Sequence, residues 1–229
     1  MATGTIYLQK SDAQLQQDVQ EELIWDPSVD ATHVGIIVKN GVVTITGQVS
    51  TYFEKRAAER AAARVSGVKA IAEEINVEPL SPFKERADAD IAKMAVNALE
   101  SHAAISYQHI KPKVENGVVA LMGEVDWYYQ KQSTENVVQN LPGVRGVTNR
   151  IRVKPKLASR ASPAEIKAKI ETAFARHARL DARQIDVSVR DGTVTLKGNV
   201  PSYVERYEAE EVAWAAPGVI DVANQLVVS

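Results

Sequence analysis

The sequence predicts an α+β fold made three times over: tandem αββαβ units, each a three-stranded mixed sheet packed against two helices. Three observations carry this. The runs GVVTITG from Gly41 to Gly47, GVVALMG from Gly117 to Gly123 and GTVTLKG from Gly192 to Gly198 are one pattern, offset by 76 and then 75 residues. A glycine–valine step keeps the same register at Gly67, Gly143 and Gly218. Between these landmarks the apolar period switches from that of a helix to that of a strand and back. The units are expected over residues 10–78, 86–154 and 161–229, with linkers around Pro79-Leu80-Ser81-Pro82 and Pro155-Lys156-Leu157-Ala158-Ser159.

Each unit opens on a helix. Leu15, Val19 and Leu23 correspond to Ile91, Ala95 and Leu99, and then to Ile166, Ile170 and Phe174, an i, i+4, i+8 stripe. Asp88 and Ser162 stand at the expected N-caps, Pro163 suits a first turn, and Ser11 or Asp12 caps the first copy. Val29, Ile105 and Leu180 follow as apolar plugs. Two strands come next, around Val34-Ile36-Val38, Ile110-Pro112-Val114 and Ile185-Val187-Val189, each turning through Asn-Gly or Asp-Gly into the glycine-bounded run. That dipeptide is the hairpin signal, because both central residues take positive φ at low cost. Pro112 has no N–H, which places its strand at an edge or in a distortion. Tyr52, Tyr128 and Tyr203 then begin alanine-rich charged helices that stop at Gly67, Gly143 and Gly218. A last strand returns through Ile75, Ile151 and Leu226.

The glycine-flanked strand, the helix after it and the terminal strand resemble the BON (bacterial OsmY and nodulation) domain. The terminal pattern is plainest in Pro217-Gly218-Val219-Ile220-Asp221-Val222-Ala223-Asn224-Gln225-Leu226, and again in Pro142, Gly143, Val144, Val147, Asn149 and Ile151. The first copy departs, with Ser66 for the proline and Glu73 at the asparagine position. The resemblance covers nearly the whole chain. It implies a peripheral lipid-binding or envelope-stress module, or, as in some cytosolic members, a scaffold that binds potassium.

Composition narrows the classes. Cysteine is absent, which removes disulfides and thiol chemistry. A net charge of −2 argues against nucleic-acid binding, and no apolar run reaches membrane-spanning length. The N-terminal MATGTIYLQKSD shows neither a basic n-region nor an apolar h-region, so a cytoplasmic chain is expected, or a periplasmic one if it is a mature fragment. No phosphate loop, GxSxG elbow or HExxH spacing occurs. No catalytic, metal or cofactor residues are assigned, and the chain is expected not to be an enzyme.

Charge is unevenly spread. Asp plus Glu against Lys plus Arg is 11 to 7 through Leu80, 8 to 11 from Ser81 to Lys156, and 10 to 9 thereafter, so the middle unit is the basic one. Arg150, Arg152 and Lys154 alternate with Ile151 and Val153 and therefore point away from a core, running on to Lys156. Such a strip is either a solvated face or an anion-binding surface for phospholipid headgroups or an acidic partner. Trp127 stands where the other copies have Thr51 and Ser202, which makes it an exposed anchor or an inter-repeat contact. Trp25 and Trp214 are likewise outside the repeat's shared positions. The candidate binding set is thus Trp127, Arg150, Arg152, Lys154 and Lys156. The expected ligand is an anionic phospholipid surface, a protein partner or a monovalent cation.

Overall fold

The computed structural model describes residues 10–79, 86–102, 109–155, 161–177, 180 and 182–228. Three units follow one another. The first runs α1 (Asp12–Trp25), β1 (Val34–Lys39), β2 (Val42–Val49), α2 (Tyr52–Arg64) and β3 (Ala70–Val77). The second runs α3 (Asp88–Glu100), β4 (Ile110–Glu115), β5 (Val118–Val125), α4 (Tyr128–Gln139) and β6 (Gly146–Val153). The third runs α5 (Pro163–Arg176), β7 (Ile185–Arg190), β8 (Thr193–Val200), α6 (Tyr203–Trp214) and β9 (Asp221–Val228). In every unit the glycine-bounded strand is central, antiparallel to its hairpin partner and parallel to the last strand. Among the described residues the strands form three separate sheets. Pro112 lies on β4, an edge strand, where its missing N–H costs no ladder bond. Ile105, Lys156 and the centre of each linker fall outside the described residues.

The predicted helix stripes are the core. Leu15, Val19, Leu23, Ile91, Ala95, Leu99, Ile166, Ile170 and Phe174 are all buried against the inward residues of the central strands. Ser11 and Ser162 cap their helices in reciprocal capping boxes with Gln14 and Glu165. Asp88 differs from expectation. Ala87 is the N-cap, and the Asp88 carboxylate instead accepts from the Asn116 and Gly117 amides at 2.8 and 2.9 Å. Asp12 does the same for Asn40 and Gly41, at 2.7 and 3.0 Å. A carboxylate at the first helical turn is drawn to these amides because Asn116 (φ 52°) and Gly117 (φ 76°) turn adjacent N–H groups outward together.

Asn149 and Asn224 explain the asparagine of the terminal pattern. Each donates its side-chain amide to a helix carbonyl (Lys131 or Arg206) and to a glutamate (Glu135 or Glu210), tying the last strand to the helix before it. Glu73 replaces asparagine in the first unit, and there Lys55 makes the tie, 2.9 Å from the Glu73 carboxylate and 2.8 Å from the Ile75 carbonyl. The departure in sequence is compensated in place.

The shared tyrosines do not simply fill their own units. Tyr52, only 8% exposed, packs into the apolar cluster of the following units, with its phenol beside the backbone of Val147. Tyr128 stacks on Trp214 of the third unit, ring centroids 4.3 Å apart and planes 4° from parallel. Tyr203 packs on the apolar cluster of the first unit, where α6 touches α2. One position thus makes the same joint three times, first unit to second, second to third and third to first, and the order closes. Units of this size bury too little surface to be robust alone, and the joints add to it.

Candidate functional site

The face of each sheet opposite its helices is open, and the pairing register shows which side chains share it. On the second sheet Lys111, Met122 and Arg150 form one row, and Lys113, Ala120 and Thr148 the next. Glu124 lies opposite Arg152, and Lys154 extends the strand's alternation past its end. The face therefore carries Lys111, Lys113, Arg150, Arg152 and Lys154 against Glu115 and Glu124, an excess of three positive charges. The same positions on the first sheet hold Lys39 against Glu74 and Glu78, and those on the third hold Arg190 and Lys197 against Asp186 and Asp221. Of the three, the second face carries a positive excess, the first a single net negative charge and the third none.

Its electrostatics are partly internal. Glu124 accepts from Lys154 Nζ at 3.1 Å and Arg152 Nη2 at 2.9 Å, and these cations hold its carboxyl below the usual carboxylate range. The Arg152 and Lys154 side chains remain 79% and 72% exposed, so their heads stay in water and the pairs contribute little to stability. Lys113 reaches Glu115 at 3.2 Å. Lys111 and Arg150 have no counter-ion among the described residues.

Trp127 follows the central strand of this sheet and caps α4. Lys154 N–H donates to the Val125 carbonyl at 2.7 Å, which brings the chain just before Trp127 against the end of β6. Thr51 and Ser202 accept from the Glu54 and Glu205 amides as N-caps of α2 and α6. An indole cannot do this, and Gln130 Oε1 instead accepts from the Asp126 and Trp127 amides, both at 3.0 Å. Trp127 is 38% exposed and its neighbour Tyr129 is more so. A helix start that forgoes its hydroxyl cap for a half-exposed indole breaks a local rule, as functional positions do.

The structure thus brings Arg150, Arg152 and Lys154 onto one open face, while Trp127 stands at the start of α4, two residues past the end of β5. Lys111 and Lys113 complete the face and were not among the sequence candidates, although their alternation with Ile110, Pro112 and Val114 was the signal that locates them. The other tryptophans part company. Trp214 is buried in the joint with Tyr128, while Trp25 is 83% exposed. Among the described residues no group of three His, Asp or Glu side chains is placed to hold a metal ion, and no helix is long and apolar enough to cross a membrane.

Comparison with known proteins gives one consistent family. The BON domain matches three times, over residues 11–79, 87–155 and 162–229. Osmotically-inducible protein Y of Escherichia coli (strain K12) is 30% identical over 147 residues, covering 61% of this chain and 71% of its own length. Structures of CdsD, a structural protein of the type III secretion system of Chlamydia trachomatis, align over 94% of this chain and 92% of theirs, and its C-terminal domain over 96% and 100%. Both are at 13% identity and a TM-score of 0.26, a superposition too poor to carry anything over to this chain. The similarity to osmotically-inducible protein Y overturns the expectation of a cytoplasmic chain, which had rested only on the plain N-terminal residues.

Proposed function

The chain belongs to the BON domain family, and from that premise we propose that it is a non-enzymatic, stress-associated protein that docks on an anionic phospholipid surface through the outer face of its second sheet. The observation that carries this reading is the excess of three positive charges on that face, against one net negative charge at the same positions of the first sheet and balance on the third. The docking unit is the one spanning residues 86–154, with units 10–78 and 161–229 bracing it.

Magnitudes set the mode of binding. About 1 kcal/mol per net basic residue near a charged bilayer gives about 3 kcal/mol, short of the ~4 kcal/mol that corresponds to millimolar affinity. Charge alone therefore steers without holding. Trp127, with Met122 in the middle of the face, supplies the apolar part at the headgroup level. Replacing Arg150, Arg152 and Lys154 together by glutamine is expected to abolish co-sedimentation with anionic vesicles at low salt and to leave the fold intact, since all three heads are in water. Wild-type protein that stays in the supernatant with anionic vesicles at low salt rejects the lipid reading and leaves a protein partner for the face.

A further inference from the structure

The first and third units differ where their two helices meet. In the first, Arg64 at the end of α2 reaches across to α1, with Nε 2.7 Å from Glu22 Oε1 and Nη2 2.8 Å from Asp26 Oδ2. The corresponding residues of the third unit are Ala215, Ala173 and His177. The bridge is gone, and a cleft of about 600 Å³ lies open between α5 and α6, within the size range of small-molecule sites.

Its chemistry is two-sided. Ile170, Ala173, Val212, Ala216 and Pro217 make apolar walls, and the hydroxyl of Thr172 is turned back to the Ala168 carbonyl at 2.7 Å. Lys169 and Arg176 supply the charge, His177 adds an imidazole, and among the described residues no acidic side chain lines the cleft. Lys169 and Arg176 are seven residues apart, two turns along one face of α5, and neither has an ion-pair partner among the described residues. Two acids nearby in the unit are engaged: Glu165 in its capping box with Ser162, and Glu208 beside His177, 3.5 Å from Nδ1.

We propose that this cleft is a binding site for a small carboxylate with a compact apolar body, its anionic head on Lys169 and Arg176 and its body between α5 and α6. The first unit is the internal control, because there Arg64 bridges the two helices and Asp18, Trp25 and Asp26 stand in place of Lys169, Arg176 and His177.

The test is solution NMR of the full chain with labelled alanine methyls, titrated with octanoate and, separately, with octylamine. Octanoate is expected to shift the Ala173 and Ala215 methyls saturably, and octylamine to leave them in place. Replacing Lys169 and Arg176 by glutamine weakens octanoate at least about tenfold. Rebuilding the bridge with Ala173→Glu, His177→Asp and Ala215→Arg abolishes the shifts. Lys169 and Arg176 are surface residues, so the glutamine pair decides the matter even where the rebuilt bridge fails to fold. No shift with octanoate, equal shifts with octylamine, or undiminished binding in the glutamine pair overturns the proposal. So do anionic vesicles that move the same methyls where octanoate does not.

Discussion

Asp88 and Gly117 work as a pair at the hairpin turn of the second unit. Gly117 has φ 76°, and a Cβ there would meet the Gly143 carbonyl oxygen at 3.0 Å, so both the backbone and the space favour glycine. Gly117→Val is expected to destabilise by about 1–2 kcal/mol from the left-handed backbone alone. Asp88→Ala removes two charge-assisted bonds from an exposed turn where water replaces them in part, and should cost about 1 kcal/mol. Urea denaturation of each variant checks this, and unchanged midpoints for both would mean that the turn is not held in this way. The sequence marked Asp88 as a helix cap because an aspartate before an apolar stripe fits either role. Only the fold shows that Ala87 takes the cap and leaves the carboxylate free for the turn. Lys111 and Lys113, by contrast, were legible in the alternation of KPKVE, since period two assigns faces without any knowledge of partners.

Among the elements, the strands and helix stripes follow from local periodicity, and they are where the sequence spoke most plainly. The role of the shared tyrosines did not follow. An apolar pattern tells which residues are buried and is silent on whose core receives them, so nothing in the sequence shows that Tyr52, Tyr128 and Tyr203 each reach into another unit. The joint between α4 and α6 also encloses charge. Glu211 of α6 accepts from Gln132 Nε2 of α4 at 2.6 Å, with Glu210 and Tyr207 on its own helix, Tyr128 facing from α4, and Arg56 of α2 near Tyr207. Burial, reinforced by Glu210, holds its carboxyl above the ordinary value of 4.5. A carboxyl raised in the folded state binds its proton more tightly there than in the unfolded chain. Its contribution therefore favours folding most at and below pH 4.5, and is lost as pH rises through the higher folded value. Glu211→Gln keeps an acceptor for Gln132 and removes the charge. It is expected to raise the melting temperature at pH 7 and to flatten the difference between pH 5 and pH 7 relative to wild type. A variant that melts lower at pH 7 with an unchanged pH profile would show that the carboxylate is not under this penalty.

Across the whole molecule, three joints of one kind close a ring. Head-to-tail contacts either close or propagate, and here the third unit returns to the first, so no joint is left over. The ring fixes the second sheet between two neighbours and leaves its charged face outward. Tyr52→Ala should cost about 3 kcal/mol, as truncating a buried aromatic does, and should loosen two units at once. Calorimetry is expected to show one transition for wild type and a split or broadened one for the variant, while three separate transitions in wild type would deny the ring. The measurement that bears most directly on function asks which surface meets the bilayer. Tryptophan emission is followed at low salt with anionic vesicles carrying brominated acyl chains, in wild type and in Trp127→Phe. Quenching in wild type that disappears in Trp127→Phe, with Trp25 and Trp214 still emitting, is the result expected of docking by the second sheet. Quenching that persists in Trp127→Phe, or bound protein that shows none, would contradict it.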